Sequence, residues 1–224
     1  MSWSDLSEWW SAEIVDDPAY EEVVTPMLVD VLRPQSGLTY LDLGCGEGRV
    51  MRAVAGAGGS IHGVDINIDL LRRAASSGPV VAGELPDLRF LRDASYHGAY
   101  CVLVLEHIED HVRLLEESAR VVKAGGVLAI VMNHPVWTAP GSTPITDSDG
   151  ETLWRPGHYF SGGATLERAG SNHVVFHHRS TAQLTSAAAG AGWSLERMVE
   201  APHHDLTDQR GIPRLMACRW RLLP

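Results

Sequence analysis

The 224-residue sequence predicts an α/β domain built on a mostly parallel sheet with helices on both faces. Three observations carry that prediction. Between residues 38 and 132, short apolar β-prone runs alternate with amphipathic helical runs, as in a parallel sheet buried on both sides. A glycine-rich turn, Gly44-Cys45-Gly46-Glu47-Gly48, joins the first apolar run to the first helix after it. Finally, 45% hydrophobic and 21% charged residues suit a globular chain able to bury one full core, so residues 1–224 are expected to form a single domain.

Residues 1–36 read as a helical cap. Trp3, Leu6, Trp9 and Trp10 recur at helical spacing, and a second helical stretch runs from Tyr20 to Leu32 before Pro34-Gln35-Ser36-Gly37 stops it. Strand one is expected at 38–43, a helix at 48–57, strand two at 60–65 and a helix at 67–77 with Leu70 and Leu71 inward. Strand three covers 79–82 and strand four 99–104. The helix from Asp110 to Val122 puts Val112, Leu115, Ala119 and Val122 on one face, and Gly125-Gly126 separates it from strand five, Val127–Met132. The rhythm breaks at 133–172, which is crowded with Pro-Gly turns and carries Trp137, Trp154, His158, Tyr159 and Phe160. About 40 irregular residues in a compact domain usually serve a function, here a lid over an acceptor site. A β-like run at 174–179, a helix at 181–191 and terminal strands at 193–199 and 214–221 complete the chain, with 201–213 as a loop.

The glycine turn carries the chemistry. A strand, a sharp turn and a helix form the nucleotide-handling unit of α/β proteins, because glycine allows the reversal and lets a ligand meet bare backbone. The pattern is G-x-G-x-G, with Asp42 two residues before the first glycine. A dinucleotide fingerprint would place a third glycine at 49, where this chain has Arg49, which argues against an NAD-linked oxidoreductase. Asp65 follows Gly44 by 21 residues, at the tip of the second strand, a position suited to a ribose diol.

With Asp42, the three glycines and Asp65 together, the chain resembles the class I S-adenosylmethionine (SAM)-dependent methyltransferases, in particular the type 11-like, small-molecule branch. The resemblance implies a Rossmann-like seven-stranded sheet with an antiparallel final strand, and SAM as cofactor. It assigns Gly44, Gly46 and Gly48 to the methionine portion, Asp42 to its ammonium through water, and Asp65 to the ribose, with Ile66 beside the adenine. Glu84 and Leu85 would meet the adenine, and Leu103 to Leu105 would lie beside the sulfonium. The family often has an Asp where His97 stands, a replacement read here as neutral. Glu106-His107 resembles the end of a metal-binding Glu-x-x-Glu-His pattern, but Leu103 occupies the first position, so no metal is expected and His107 lines the cofactor wall.

Methyl transfer from a sulfonium needs an aligned acceptor, excluded water and, in some cases, a base. His134-Pro135 after strand five and Phe176-His177-His178-Arg179-Ser180 resemble features of that branch, which makes His134 and His178 the catalytic candidates. Trp137, Trp154, Tyr159 and Arg179 are the candidate acceptor-binding residues. His203-His204-Asp205 is expected to be solvated. The net charge is −10, and no Lys/Arg run exceeds the pair Arg72-Arg73, so nucleic acid is disfavoured as substrate. No 18-residue apolar run or signal segment is seen, which predicts a cytoplasmic protein without membrane attachment. Cys45, Cys101 and Cys218 lack metal or redox spacing. The expectation is therefore methyl transfer to oxygen or nitrogen of a small organic acceptor. The alternatives are a non-catalytic SAM-binding protein or a protein-directed methyltransferase; oligomeric state is left open.

Overall fold

A computed structural model describes residues 18–169 and 172–224. The expectations for Trp3, Leu6, Trp9 and Trp10 lie outside the described residues. A π-helical turn at Tyr20–Val24 leads into α1 (Thr25–Leu32). The alternation follows: β1 (Thr39–Leu43), α2 (Arg49–Gly56), β2 (Ser60–Asp65), α3 (Ile68–Ala74), β3 (Val80–Ala82), β4 (Tyr96–Val102), α4 (His111–Val121) and β5 (Val122–Asn133). Short side-chain caps start two of these helices. Asn67 accepts from the N–H groups of Asp69 and Leu70, and Asp110 from that of Arg113.

Beyond β5 come α5 (Pro135–Thr138), β6 (Thr143–Thr146), β7 (Thr152–Arg155), β8 (Gly163–Ala169) and β9 (Asn172–His178). The insertion expected to be irregular is thus folded as two antiparallel hairpins, β6–β7 and β8–β9. The first closes on Asp147-Ser148-Asp149-Gly150, where Asp147 Oδ1 accepts from the N–H groups of Asp149 and Glu151. Last come α6 (Thr181–Gly190), β10 (Trp193–Pro202) and β11 (Pro213–Leu222). Ser180 and Gln183 form a reciprocal capping box that starts α6.

Seven strands pair in the order β10-β11-β5-β4-β1-β2-β3. Pairing is parallel from β3 to β5, while β11 runs antiparallel to both of its neighbours. Period-two alternation splits the core between the two faces. Leu41, Leu43, Ala99, Cys101, Leu128 and Ile130 face α4 and α6, and Tyr40, Tyr100, Val102, Ala129 and Val131 face α1 to α3. All three cysteines are buried as free thiols. Among the described residues no helix is long and apolar enough to cross a membrane. The parallel strands end at one edge, which brings residues 43, 65, 82, 102 and 133 together.

Candidate functional site

The glycine turn is tied down by β2. The Val64 carbonyl accepts from Gly44 N–H at 2.8 Å and from Cys45 N–H at 3.0 Å. Gly44 has φ +81°, and a Cβ there would lie 2.5 Å from Val104 Cγ2, so only glycine keeps this passage open. Asp65 holds the turn from the other side: Oδ2 accepts from Gly46 N–H and Oδ1 from Asn67 N–H, each at 2.8 Å. Both oxygens keep a second lone pair for a ligand hydroxyl. Burial raises the Asp65 carboxyl above the usual range, and the backbone donors Asn67, Gly46 and Ile66 oppose that rise.

Asp42 is 2% exposed, on the β1 face shared with Tyr40. Its Oδ2 has no hydrogen-bond partner of good geometry. Burial pushes its carboxyl up to about 8; the nearby Tyr100 hydroxyl pulls the other way and the charge of Asp65 adds to the rise.

These groups open onto a cleft of about 220 Å³. Asp42, Gly44, Gly46 and Asp65 line it, as do the expected Ile66, Glu84, Leu85 and Leu103. Leu103 stands at φ +53°, an unusual conformation for a branched apolar residue, at the point where β4 gives way to the next turn. Two expected residues do not reach the cleft. Gly48, at φ +80°, serves helix packing instead, since a Cβ there would sit 3.0 Å from Ala74 Cα. Leu105 is 2% exposed in the α4–α6 core, because the 3₁₀ turn Leu105–His107 rotates it inward once β4 has ended.

Sequence reasoning did not assign Tyr20, Glu47, Arg49 or Asn67 to the site, and all four line the cleft. Arg49 stands in the place of the missing third glycine, with its guanidinium 5.1 Å from the Tyr20 ring centroid. His107 lines the cleft too. Its Nδ1 lies 2.9 Å from the Val175 carbonyl, which can only accept, so the ring hydrogen is on Nδ1. Its edge-on contact with Phe176, 4.8 Å between centroids, also comes from β9.

Neither histidine expected to act as a base faces the cleft. His134 is 5% exposed and caps α5. Its Nδ1 accepts from Val136 N–H at 3.1 Å, which leaves Nε2 as donor to Glu200 at 2.7 Å. His178, 2% exposed, has Nε2 2.8 Å from the Tyr159 carbonyl, so Nδ1 is the acceptor for the Thr138 hydroxyl at 3.0 Å. Both rings spend their two nitrogens on holding the insertion in place. His97 is likewise structural, taking Thr39 N–H on Nδ1 at 3.1 Å.

The expected acceptor residues are also redistributed. Tyr159 places its hydroxyl on Thr181, accepting that residue's N–H at 3.1 Å. Arg179 donates to main-chain oxygens of Leu105, His177, Ile108 and Glu109 and, among the described residues, to no side chain. Burial pushes its guanidinium down to about 10. Trp154 stacks on Trp137 with centroids 4.3 Å apart. Trp137 in turn underlies Arg214, whose guanidinium carbon is 4.6 Å from the ring centroid.

That arginine belongs to a second cavity, of about 130 Å³, bounded by Tyr20, Val23, Leu103, Asn133, His203 and His204 among others. His203 and His204 stack at 5.1 Å there; contrary to expectation they are part of a wall, with the His204 side chain 16% exposed. Tyr20 and Leu103 line both cavities, so the two adjoin. Of the insertion, Asn133 is the one described residue that lines either of them. Among the described residues no group of three His, Cys, Asp or Glu side chains is placed to hold a metal ion.

A family model described as a methyltransferase domain matches residues 41–130. A crystal structure of an S-adenosylmethionine-dependent methyltransferase from Mesorhizobium loti superposes with a TM-score of 0.78 at 27% identity, covering 88% of this chain and 96% of that one. A second such structure, from Listeria monocytogenes, gives 0.76 at 21% identity and speaks for the fold. A ubiquinone biosynthesis O-methyltransferase from Thiobacillus denitrificans is 31% identical over 128 residues. The match covers 53% of this chain and 54% of that protein, so the chain spans about half the length of the curated relatives it matches.

Proposed function

We propose that the chain is a class I SAM-dependent methyltransferase, as its similarity to that family supports, and that it transfers a methyl group from SAM to oxygen of a small organic acceptor. The observation that carries this reading is the joint placement of the glycine turn and the Asp65 carboxylate, hydrogen-bonded to each other and facing one cleft. The residues present fit the cofactor. Asp42 offers a buried carboxylate oxygen with no protein partner of good geometry, bare backbone at Gly44 and Gly46 admits a close ligand, and Asp65 and Glu84 provide further acceptors. A lining with several carboxylates suits a cation better than a phosphate. Oxygen is favoured as the attacked atom because the Thiobacillus denitrificans relative is named an O-methyltransferase.

When bound, SAM supplies a methyl group on a sulfonium, ready for in-line displacement. In this reading Asp65 holds the ribose hydroxyls while Asp42 orients the ammonium. Ile66 and Leu85 flank the base, and Leu103 and Val104 provide apolar wall that excludes water. His107 takes the role of base in place of His134 and His178. With its hydrogen fixed on Nδ1, Nε2 is the basic nitrogen, and burial holds the ring below the usual histidine range, so it is neutral at pH 7.

Calorimetry with S-adenosylhomocysteine tests the cofactor half of the reading: saturable binding is expected, and Asp65→Ala should weaken it by about 30-fold or more, as expected for lost hydrogen bonds to a charged group. An absence of binding at millimolar ligand would overturn the assignment. Incubation with labelled SAM and a small-molecule metabolite extract tests transfer, and the labelled product identifies the acceptor.

A further inference from the structure

We propose that the second cavity is the acceptor chamber and that Arg214 in it binds an anionic oxygen group of the acceptor, a carboxylate or a phosphate. This rests on the methyltransferase reading of the adjoining cleft, and it specifies the class of molecule that meets the methyl group.

Arg214 keeps most of its hydrogen-bonding capacity unspent. A guanidinium carries five N–H donors, and one that lines a cavity with most of them unused is open to an oxyanion. Among the described residues Arg214 makes one hydrogen bond, from Nη1 to Asn133 Oδ1, and has no carboxylate within ion-pair distance. Arg179 shows how this chain satisfies an arginine that serves structure, with four main-chain oxygens around it. Arg214 has no such set, yet burial alone depresses its basicity, against the distant charge of Glu106.

Its placement is nonetheless fixed. Glu106 Oε1 accepts from both the backbone N–H and Nδ2 of Asn133, so the Asn133 carbonyl oxygen must face Arg214. Trp137 covers one face of the guanidinium, and Trp154 backs Trp137. A fork held rigidly from behind, with most of its donors unspent, is suited to bidentate binding of an oxyanion. The cavity that Arg214 lines is otherwise bounded by apolar Val23, Val24, Leu103 and Leu215 and the stacked His203–His204 pair. An apolar body with one anionic end matches that lining. With the anion on Arg214, the rest of the molecule extends toward Leu103, where the two cavities meet.

Three probes test this on the full-length protein, with and without S-adenosylhomocysteine: benzoate, phenyl phosphate and the neutral isostere benzamide, followed by calorimetry and by tryptophan fluorescence. Benzoate or phenyl phosphate is expected to bind at least about tenfold more tightly than benzamide, and Arg214→Gln to remove that preference, as befits a charge-assisted hydrogen bond. The better of the two anions tells carboxylate from phosphate. S-adenosylhomocysteine affinity should be unchanged in R214Q, which also reports that the variant is folded. Should R214Q not fold, the Arg214 Nε–H resonance of the wild-type protein provides the readout, shifting with the anion and not with benzamide. Equal binding of anion and amide, no binding of any probe, or undiminished anion binding by folded R214Q would overturn the proposal. Loss of S-adenosylhomocysteine binding by the wild-type protein would instead strike at the methyltransferase reading.

Discussion

His107 differs from His134 and His178 in place: it lines the cleft, and they do not. Each of those two donates from one ring nitrogen and accepts on the other within the fold around the insertion. The Val175 carbonyl fixes the hydrogen of His107 on the nitrogen that faces β9. A base needs both a fixed tautomer and a place on the cleft wall, and His107 meets these conditions. His107→Gln is therefore expected to lower turnover by about 10²–10⁴-fold while leaving S-adenosylhomocysteine affinity unchanged. His134→Gln and His178→Gln should instead lower the melting temperature, with little direct effect on turnover of the folded fraction. Measuring rate and cofactor affinity on the same three variants separates the two roles. Full activity in H107Q would remove His107 from the reaction.

At the scale of elements, the β8–β9 hairpin and the segment leading into α6 brace the turn after β4. Val175 and Phe176 hold His107, and Arg179 gathers the carbonyls of Leu105, Ile108 and Glu109. Strand β9 and the segment after it thus act on the cleft from behind its wall. Arg179→Ala leaves those buried carbonyls without a donor, so a loss of about 2–3 kcal/mol is expected. In a chain of this size that corresponds to a fall in Tm of roughly 4–12 °C. Arg179→Lys should recover only part of it, because an ammonium cannot span the same fan of oxygens. A melting curve of R179A that matches the wild type would show that the turn holds itself.

For the molecule as a whole, Asp42 makes stability depend on pH. Its carboxyl titrates at about 8 in the folded protein, against an ordinary value of 3.8. The folded state therefore keeps a proton that the unfolded chain gives up over that interval. Stability from this group is fully present below 3.8 and is lost as pH rises towards 8, at about 1.4 kcal/mol per pH unit. Asp42→Asn removes the dependence: without ligand it should melt several degrees above the wild type at pH 8, and the gap should close as pH falls towards 4.5. S-adenosylhomocysteine should narrow the gap, since its ammonium favours the charged Asp42. A pH-independent gap between the two melting profiles would contradict this account.

The sheet, its helices and much of the cleft wall were legible in the sequence because they depend on local signals: alternation, three glycines, and acids just before and 21 residues after the first of them. Leu105 was misplaced because a 3₁₀ turn changes which side a residue faces, and no residue there announces one. The histidines misled because side-chain identity shows that a ring can accept a proton, whereas its neighbours determine whether a nitrogen is left to do so. Arg214 was invisible for a topological reason. It carries no motif, and only the pairing of Leu215 with Asn133 carries it to the tip of β5.

That pairing has a consequence for how the fold is reached. Strand β10 joins the sheet solely through β11, which wedges between it and β5. Until residues 213–222 dock, the ten-residue ribbon from Trp193 has no neighbour to zip against, and Arg214 is nowhere near Asn133. Closing these distant contacts is the slow kind of step in folding. The side of the sheet that carries the glycine turn can thus be organised earlier than the side that carries Arg214.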